Sequence, residues 1–500
     1  MATKKDYSLK FRGGKAMSLV PLGIFIIFCI AFFVVFQIYE MDALAMGGFV
    51  ALILGSFLAK NIGTYWDAAV KGMSSEIANT LTLILFVVGI FSKLMTYGGV
   101  AEGFVWIGDK LNLSGSLFSV FTFMVTAILA TATGTSIGTI ITGMSILYPS
   151  GLLLGAHPVI LAGAILSGAL FGDSIGPVSD VTIASCATQE YHTKSGSADI
   201  GGMVSSRVKY SLVSGAITIV LFFIFGGEGS SAIDESGSAL LAQYSNPKGL
   251  LMLIPVVLLL IVAIITKNIY LAATTGIISG AIVALAFGIF PASTIISVND
   301  GVLGGFIIEG IRGMLGTVAY LYALFAIMGV MQESGMMDSI IESLMNSKLS
   351  KTVVGTELLI AAGSCVSGFC LGGANGPACI MFGPIAGKLG QQQRLHPYRR
   401  GNLLAGFASA IPVLIPFASL FISIAISTIN GLRDQYDFVP AVNPAVLPTS
   451  MFFCYTYAAV WLFSIFTGWG REYEGPDGKP VRNSADAAEP EVIIASESGQ

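Results

Sequence analysis

The sequence predicts an all-α polytopic membrane protein, an inverted-repeat transporter with about ten spanning helices, two re-entrant hairpins and two broken helices. Three observations carry this. Of the 500 residues 54% are hydrophobic and 11% charged, with a mean hydropathy of +0.81, whereas a soluble chain carries about 25% charge. No Asp, Glu, Lys or Arg occurs between Lys110 and Asp173 or between Asp437 and Arg471, so these stretches do not face water. The chain also repeats itself: His157-Pro158 and His396-Pro397 each open an apolar run, at an offset of 396 − 157 = 239. At that offset Pro177 meets Pro416, and at 372 − 134 = 238 Gly134 meets Gly372.

The elements follow in order. A basic stretch, 1–16, is expected to be a cytoplasmic N-terminus; the apolar run after it is longer than a signal-peptide core and is expected as a retained helix. The first repeat covers 17–226: scaffold 17–97, hairpin 115–155, broken helix 158–186 and closing helix 208–226. Its hairpin tip is Thr131-Ala132-Thr133-Gly134-Thr135-Ser136-Ile137-Gly138-Thr139, and its break falls at Gly172, Gly176 and Pro177, residues costly inside a continuous helix. The second repeat covers 249–468: scaffold 249–333, hairpin 352–388 with tip Leu371-Gly372-Gly373-Ala374-Asn375-Gly376-Pro377, broken helix 399–428 and closing helix 447–468. From 469 to 500 the chain is polar, holds Pro476, Pro480 and Pro490, and is expected to be a disordered cytoplasmic tail.

Loop charges set the orientation. If each hairpin leaves and returns to one side, the loops assigned to the cytoplasm hold twenty basic residues and the opposite loops four, Lys93, Lys110, Lys248 and Arg433. Both termini are then cytoplasmic in a bacterial-type inner (plasma) membrane, and each repeat crosses an odd number of times, so the halves run in opposite senses. Charge alone does not separate a hairpin from two full spans; the Gly/Ser/Thr/Asn-rich tips suit irregular backbone buried in protein at membrane depth. With a net charge of −4 and short basic clusters, the chain has no nucleic-acid footprint. Its six cysteines carry no CxxC or Cys/His metal spacing.

The two interrupted stretches of the first repeat carry the chemistry. Broken helices free carbonyls that need partners, and a hard cation such as sodium prefers oxygen. Asp173, Asp180, Thr135 and Ser174 are the candidate sodium ligands, with Thr133, Gly134, Ser136 and Ser179 around them. Asp173 and Asp180 are the only acids between Lys110 and Glu190, and an acid at membrane depth is functional by default. The competing readings are an acid capping a helix end in water and a small-residue stretch serving close helix packing. In the second repeat Pro412, Pro416 and Ser419 stand where Asp173, Pro177 and Asp180 stand in the first. The repeat is symmetric in fold and asymmetric in charge, leaving Gly373, Asn375, Ser409 and Ser419 for a polar substrate or a second ion.

Phe171-Gly172-Asp173-Ser174-Ile175-Gly176-Pro177-Val178-Ser179-Asp180-Val181-Thr182 resembles the signature of the NhaC-type sodium/proton antiporters, and the arrangement of segments is similar over nearly the whole chain. The resemblance implies that Asp173 and Asp180 carry ion coupling, with a moving transport domain and a scaffold that is often a homodimer. Gly176 and Val181 depart from the Ser and Thr that members often have there. The expected function is sodium/proton antiport; the alternative is a sodium- or proton-coupled carrier of a small amino acid or carboxylate. Sodium is the expected coupling ion, with no cofactor, and membrane lipid is the expected surrounding. An intramembrane aspartyl protease is disfavoured, since Leu170 breaks the Gly-x-Gly-Asp element.

Overall fold

The computed structural model describes residues 8–488 apart from 37, 39–40, 112, 114, 178, 228–244, 267–268, 300 and 346. Lys4, Lys5, Lys267 and the end of the expected tail lie outside the described residues. The first half contains α1 (Val20–Ile30), α2 (Met41–Ser56), α3 (Ile62–Met73), α4 (Glu76–Tyr97), α5 (Val100–Lys110), α6 (Gly115–Thr133), α7 (Ser136–Leu153), α8 (Pro158–Ile175), α9 (Asp180–Ala187) and α10 (Ile200–Phe225). The second half contains α11 (Leu253–Thr266), α12 (Ile269–Ala286), α13 (Phe306–Glu333), α14 (Met336–Met345), α15 (Val353–Cys370), α16 (Asn375–Gln392), α17 (Pro397–Ala410), α18 (Leu420–Arg433) and α19 (Phe452–Thr467). Among the described residues, six helices are long and apolar enough to cross a membrane.

Local chemistry starts and stops these helices. Pro158 and Pro397 open α8 and α17, where a missing N–H costs nothing. Ser75, Asp199 and Thr352 cap α4, α10 and α15 by accepting the N–H of Ala78, Gly202 and Gly355. At the hairpin tips the chain reverses through left-handed backbone at Gly134 (φ 67°), Gly372 (φ 64°) and Gly373 (φ 77°), conformations glycine adopts without strain. α7 and α16 start 375 − 136 = 239 residues apart, as do α8 and α17 (397 − 158).

The halves exchange equivalent partners. α7 packs on α18 while α16 packs on α9, and α8 packs on α19 while α17 packs on α10. Outside this unit, α13 runs along α2, α3 and α4, and α11 pairs with α12. The two groups meet through α4 on α7, α11 on α6 and α13 on α18.

Four features differ from the sequence reading. Helices α3, α5 and α14, of 12, 11 and 10 residues, were not expected, because a search for apolar runs passes over short amphipathic helices. The closing helix α10 begins at Ile200 rather than 208, since Asp199 caps a start whose Gly201, Gly202, Ser205, Ser206 and Arg207 an apolar scan discards. Arg207, Arg399 and Arg400, counted as loop bases, are buried within helices. The tail is not disordered up to residue 488: β1 (Tyr473–Glu474) pairs with β2 (Pro480–Val481). Glu474, fully buried, accepts from His192 N, Thr193 N and Thr193 Oγ1 at 2.9, 3.0 and 2.7 Å. Its polar composition is matched by loop donors, a pairing that composition cannot reveal.

Candidate functional site

Four helices, α7, α9, α16 and α18, begin beside one another because both hairpin tips fold against both breaks. Leu420 N donates to Gly372 O at 2.9 Å, and Thr131 Oγ1 donates to Gly172 O at 3.3 Å. Gly172 permits this approach, since a Cβ there would meet Ala127 O at 2.2 Å. Between these helix starts and α4 lies a cavity of about 320 Å³, lined by Thr135, Ser136, Asp173, Asp180, Asn375 and Gly376 among others, with Thr80 and Ile84 on its α4 side. The volume admits several waters, and the four N-termini turn their partial positive charge toward it.

Asp173 is the buried centre, 2% exposed. Its Oδ2 accepts from Ser136 Oγ at 2.8 Å and from Asn375 Nδ2 at 3.5 Å, so one side chain from each hairpin tip holds one carboxylate oxygen. Asn375 also donates to Ser409 Oγ at 3.0 Å. Among the described residues the other oxygen, Asp173 Oδ1, is buried with no hydrogen-bond partner of good geometry, and the hydroxyl of Ser179 lies beside the carboxyl. Asp180 is the first residue of α9; its Oδ1 accepts Val181 N at 2.8 Å, and it is exposed to the cavity. The capping reading therefore describes part of what Asp180 does. Its Oδ2 lies over the first turn of α16, where a Cβ on Gly376 would meet it at 2.6 Å.

The structure thus brings together Asp173, Asp180, Thr135, Ser136, Asn375 and Ser409, with Ser179 at the break. Other candidates lie elsewhere. Ser174 Oγ donates to Phe171 O and meets Ser211 Oγ at 3.2 Å on the α10 side. Ser419 caps α18 through Ile422 N. Thr133 donates to Leu129 O and lines a separate apolar pocket with Phe91, Val256 and Ala272. Gly134 and Gly373 shape the tips without lining the cavity. Two carbonyls at the first break have side-chain donors: Thr182 Oγ1 donates to Gly176 O at 3.0 Å and Arg207 Nη1 to Ser174 O at 3.0 Å.

Arg207 and Asn402 were missed. The signal for Arg207 was present: Arg207, Ser211, Ser214 and Thr218 recur at helical spacing, and all four are buried along α10, a polar stripe facing inward.

The model of the Na+/H+ antiporter family matches residues 13–198 and 192–463. The malate-2H(+)/Na(+)-lactate antiporter of Bacillus subtilis (strain 168) is 28% identical over 360 residues, covering 69% of this chain and 74% of that protein. The Na(+)/H(+) antiporter NhaC of Alkalihalophilus pseudofirmus (strain ATCC BAA-2126 / JCM 17055 / OF4) is 24% identical over 340 residues, covering 65% and 71%. The NhaC of Bacillus subtilis (strain 168) is 25% identical over 376 residues, covering 70% and 78%. With both halves matched, the chain belongs to the NhaC-type Na+/H+ antiporter family and is an integral membrane transporter, not an enzyme.

Proposed function

We propose that this protein exchanges sodium for protons across the plasma membrane, with both ions competing for the Asp173 and Asp180 cavity. The observation that carries the reading is Asp173 itself: buried, fixed through Oδ2 by Ser136 and Asn375, and, among the described residues, without a hydrogen-bond partner at Oδ1. A carboxylate oxygen with an unused lone pair accepts a proton or coordinates sodium, and cannot do both fully at once. Ser179 Oγ, Thr135 and the Asp180 carboxylate supply further oxygens. The helix N-termini stabilise the ionised acids when neither cation is bound.

Alternating access requires the site to face each side in turn. The reciprocal contacts between the halves support an inverted two-fold unit of α6–α10 and α15–α19 that moves as a body past the scaffold of α1–α4 and α11–α13, itself a candidate homodimer contact. Contact of each hairpin tip with a helix break supports re-entrant hairpins, since the tip then lies at the depth of the break. The loop-charge bias supports cytoplasmic termini.

Reconstitution in liposomes tests the exchange: adding sodium outside should drive proton release from protein-containing vesicles and not from empty ones. No sodium-driven pH change would sink the reading. A second reading, transport of a small carboxylate or amino acid, is favoured by a cavity of about 320 Å³, which exceeds a bare ion's needs, and by the relative named for malate and lactate. Proton movement driven by a panel of carboxylates and amino acids, in place of sodium alone, would favour it.

A further inference from the structure

Behind the break, on the side away from the cavity, Arg207 of α10 is 1% exposed. Its guanidinium donates to four oxygens, none of them a carboxylate. Nη1 reaches Ser174 O at 3.0 Å and Thr182 Oγ1 at 3.1 Å, Nη2 reaches Ser185 Oγ at 3.2 Å, and Nε reaches Asn402 Oδ1 at 2.8 Å. Ser174 belongs to the last turn of α8, whereas Thr182 and Ser185 belong to α9, so one planar group bridges the gap between the half-helices. Ser174 adjoins Asp173, and Thr182 follows Asp180 by two positions. A guanidinium is a fork of fixed geometry, so this bridge fixes the separation of the residues carrying the two acids.

The Nε contact reaches the other repeat. Asn402 also donates Nδ2 to Met203 O at 3.1 Å, which locks α17 onto α10. Two turns further along the same face of α17 lies Ser409, the acceptor for Asn375, and Asn375 reaches Asp173. Arg207 therefore orders Asp173 through both repeats while touching no group that lines the cavity. A buried guanidinium with only neutral acceptors is expensive, so stability gives little reason for an arginine here.

We propose that Arg207 is a positioning residue for ion binding: it sets the spacing of Asp173 from Asp180 and registers Asn375 on them. The inference rests on the reading of the cavity as the ion site. Its test separates affinity from turnover in proteoliposomes, using whichever ion or solute drives proton movement in the wild type, so that the sodium reading and this one can fail separately. Arg207→Lys keeps the charge and loses the fork; we expect its half-saturating concentration to rise about tenfold, with a maximal rate within about twofold of wild type, in keeping with lost charged hydrogen bonds. Ser185→Ala and Asn402→Ala each remove one acceptor and should raise it about threefold. An Arg207→Lys protein with unchanged half-saturation overturns the inference. If that variant does not fold, unchanged half-saturation in both single-acceptor variants overturns it equally.

Discussion

Asp173 and Asp180 stand seven positions apart, yet the break between α8 and α9 gives them different surroundings: Asp173 is enclosed by Ser136 and Asn375, and Asp180 opens to the cavity. Asp173→Asn keeps size and hydrogen bonding but cannot exchange a proton, so sodium-driven proton movement should fall to the empty-vesicle background while the protein elutes as a folded species. Full exchange in that variant would remove Asp173 from the mechanism. Ser136→Ala removes one donor to Oδ2 and leaves Oδ1 as it was. About 1 kcal/mol of lost hydrogen bonding should appear as a fivefold change in half-saturating sodium, with little effect on maximal rate.

Between elements, glycine sets how closely the hairpin and broken helix approach. A Cβ at Gly168 of α8 would meet Thr126 Oγ1 at 2.0 Å and Phe123 O at 2.4 Å. Because a backbone carbonyl cannot swing aside, Gly168→Val should cost about 1–3 kcal/mol through overpacking, read as a lower Tm in detergent. The strap of residues 471–488 is held differently. Burial opposes charge on Glu474, but the Thr193 N–H and hydroxyl and the His192 ring, with Nδ1 2.7 Å from Oε2, outweigh it and keep the carboxyl below the usual glutamate range. A depressed carboxyl contributes stability that is present above the unfolded value and lost as pH falls through the folded one. A nitroxide on a cysteine placed at Asn483 should therefore keep constant mobility from pH 7 to 5 and loosen below about pH 4. Glu474→Gln should loosen it already at pH 7, and an unchanged spectrum in that variant would deny the carboxylate its anchoring role.

At the scale of the whole molecule, the proposed movement makes opposite predictions for two crosslinks. Ser92 of α4 and Ser145 of α7 touch through their hydroxyls, joining scaffold to hairpin. Thr218 of α10 and Thr456 of α19 meet at 2.9 Å, inside the proposed moving body. A disulfide in a Ser92→Cys, Ser145→Cys protein should stop exchange while sodium still raises the Tm, and reduction should restore transport. The Thr218→Cys, Thr456→Cys disulfide should leave exchange near the wild-type rate. The reverse pattern would favour local gating at the breaks over rigid-body movement.

The sequence by itself determined the membrane class, the repeat offset, both hairpin tips and both helix breaks, because each depends on local properties: apolar length, glycine and proline punctuation, and the cost of an acid in an apolar run. It also picked out Asp173, Asp180, Ser136 and Asn375, whose polarity is conspicuous against their neighbours. The short amphipathic helices, the folded strap and the contacts of Arg207 were decided only by the tertiary structure. Lys, Arg and Glu near a segment end have the same composition whether they face water or are buried, and the difference lies in partners distant along the chain, as with Glu474 and His192 or Arg207 and Asn402. Which oxygens are taken at the break was likewise a tertiary outcome: Thr131, Thr182 and Arg207 donate to the carbonyls of Gly172, Gly176 and Ser174, and among the described residues Asp173 Oδ1 has no hydrogen-bond partner.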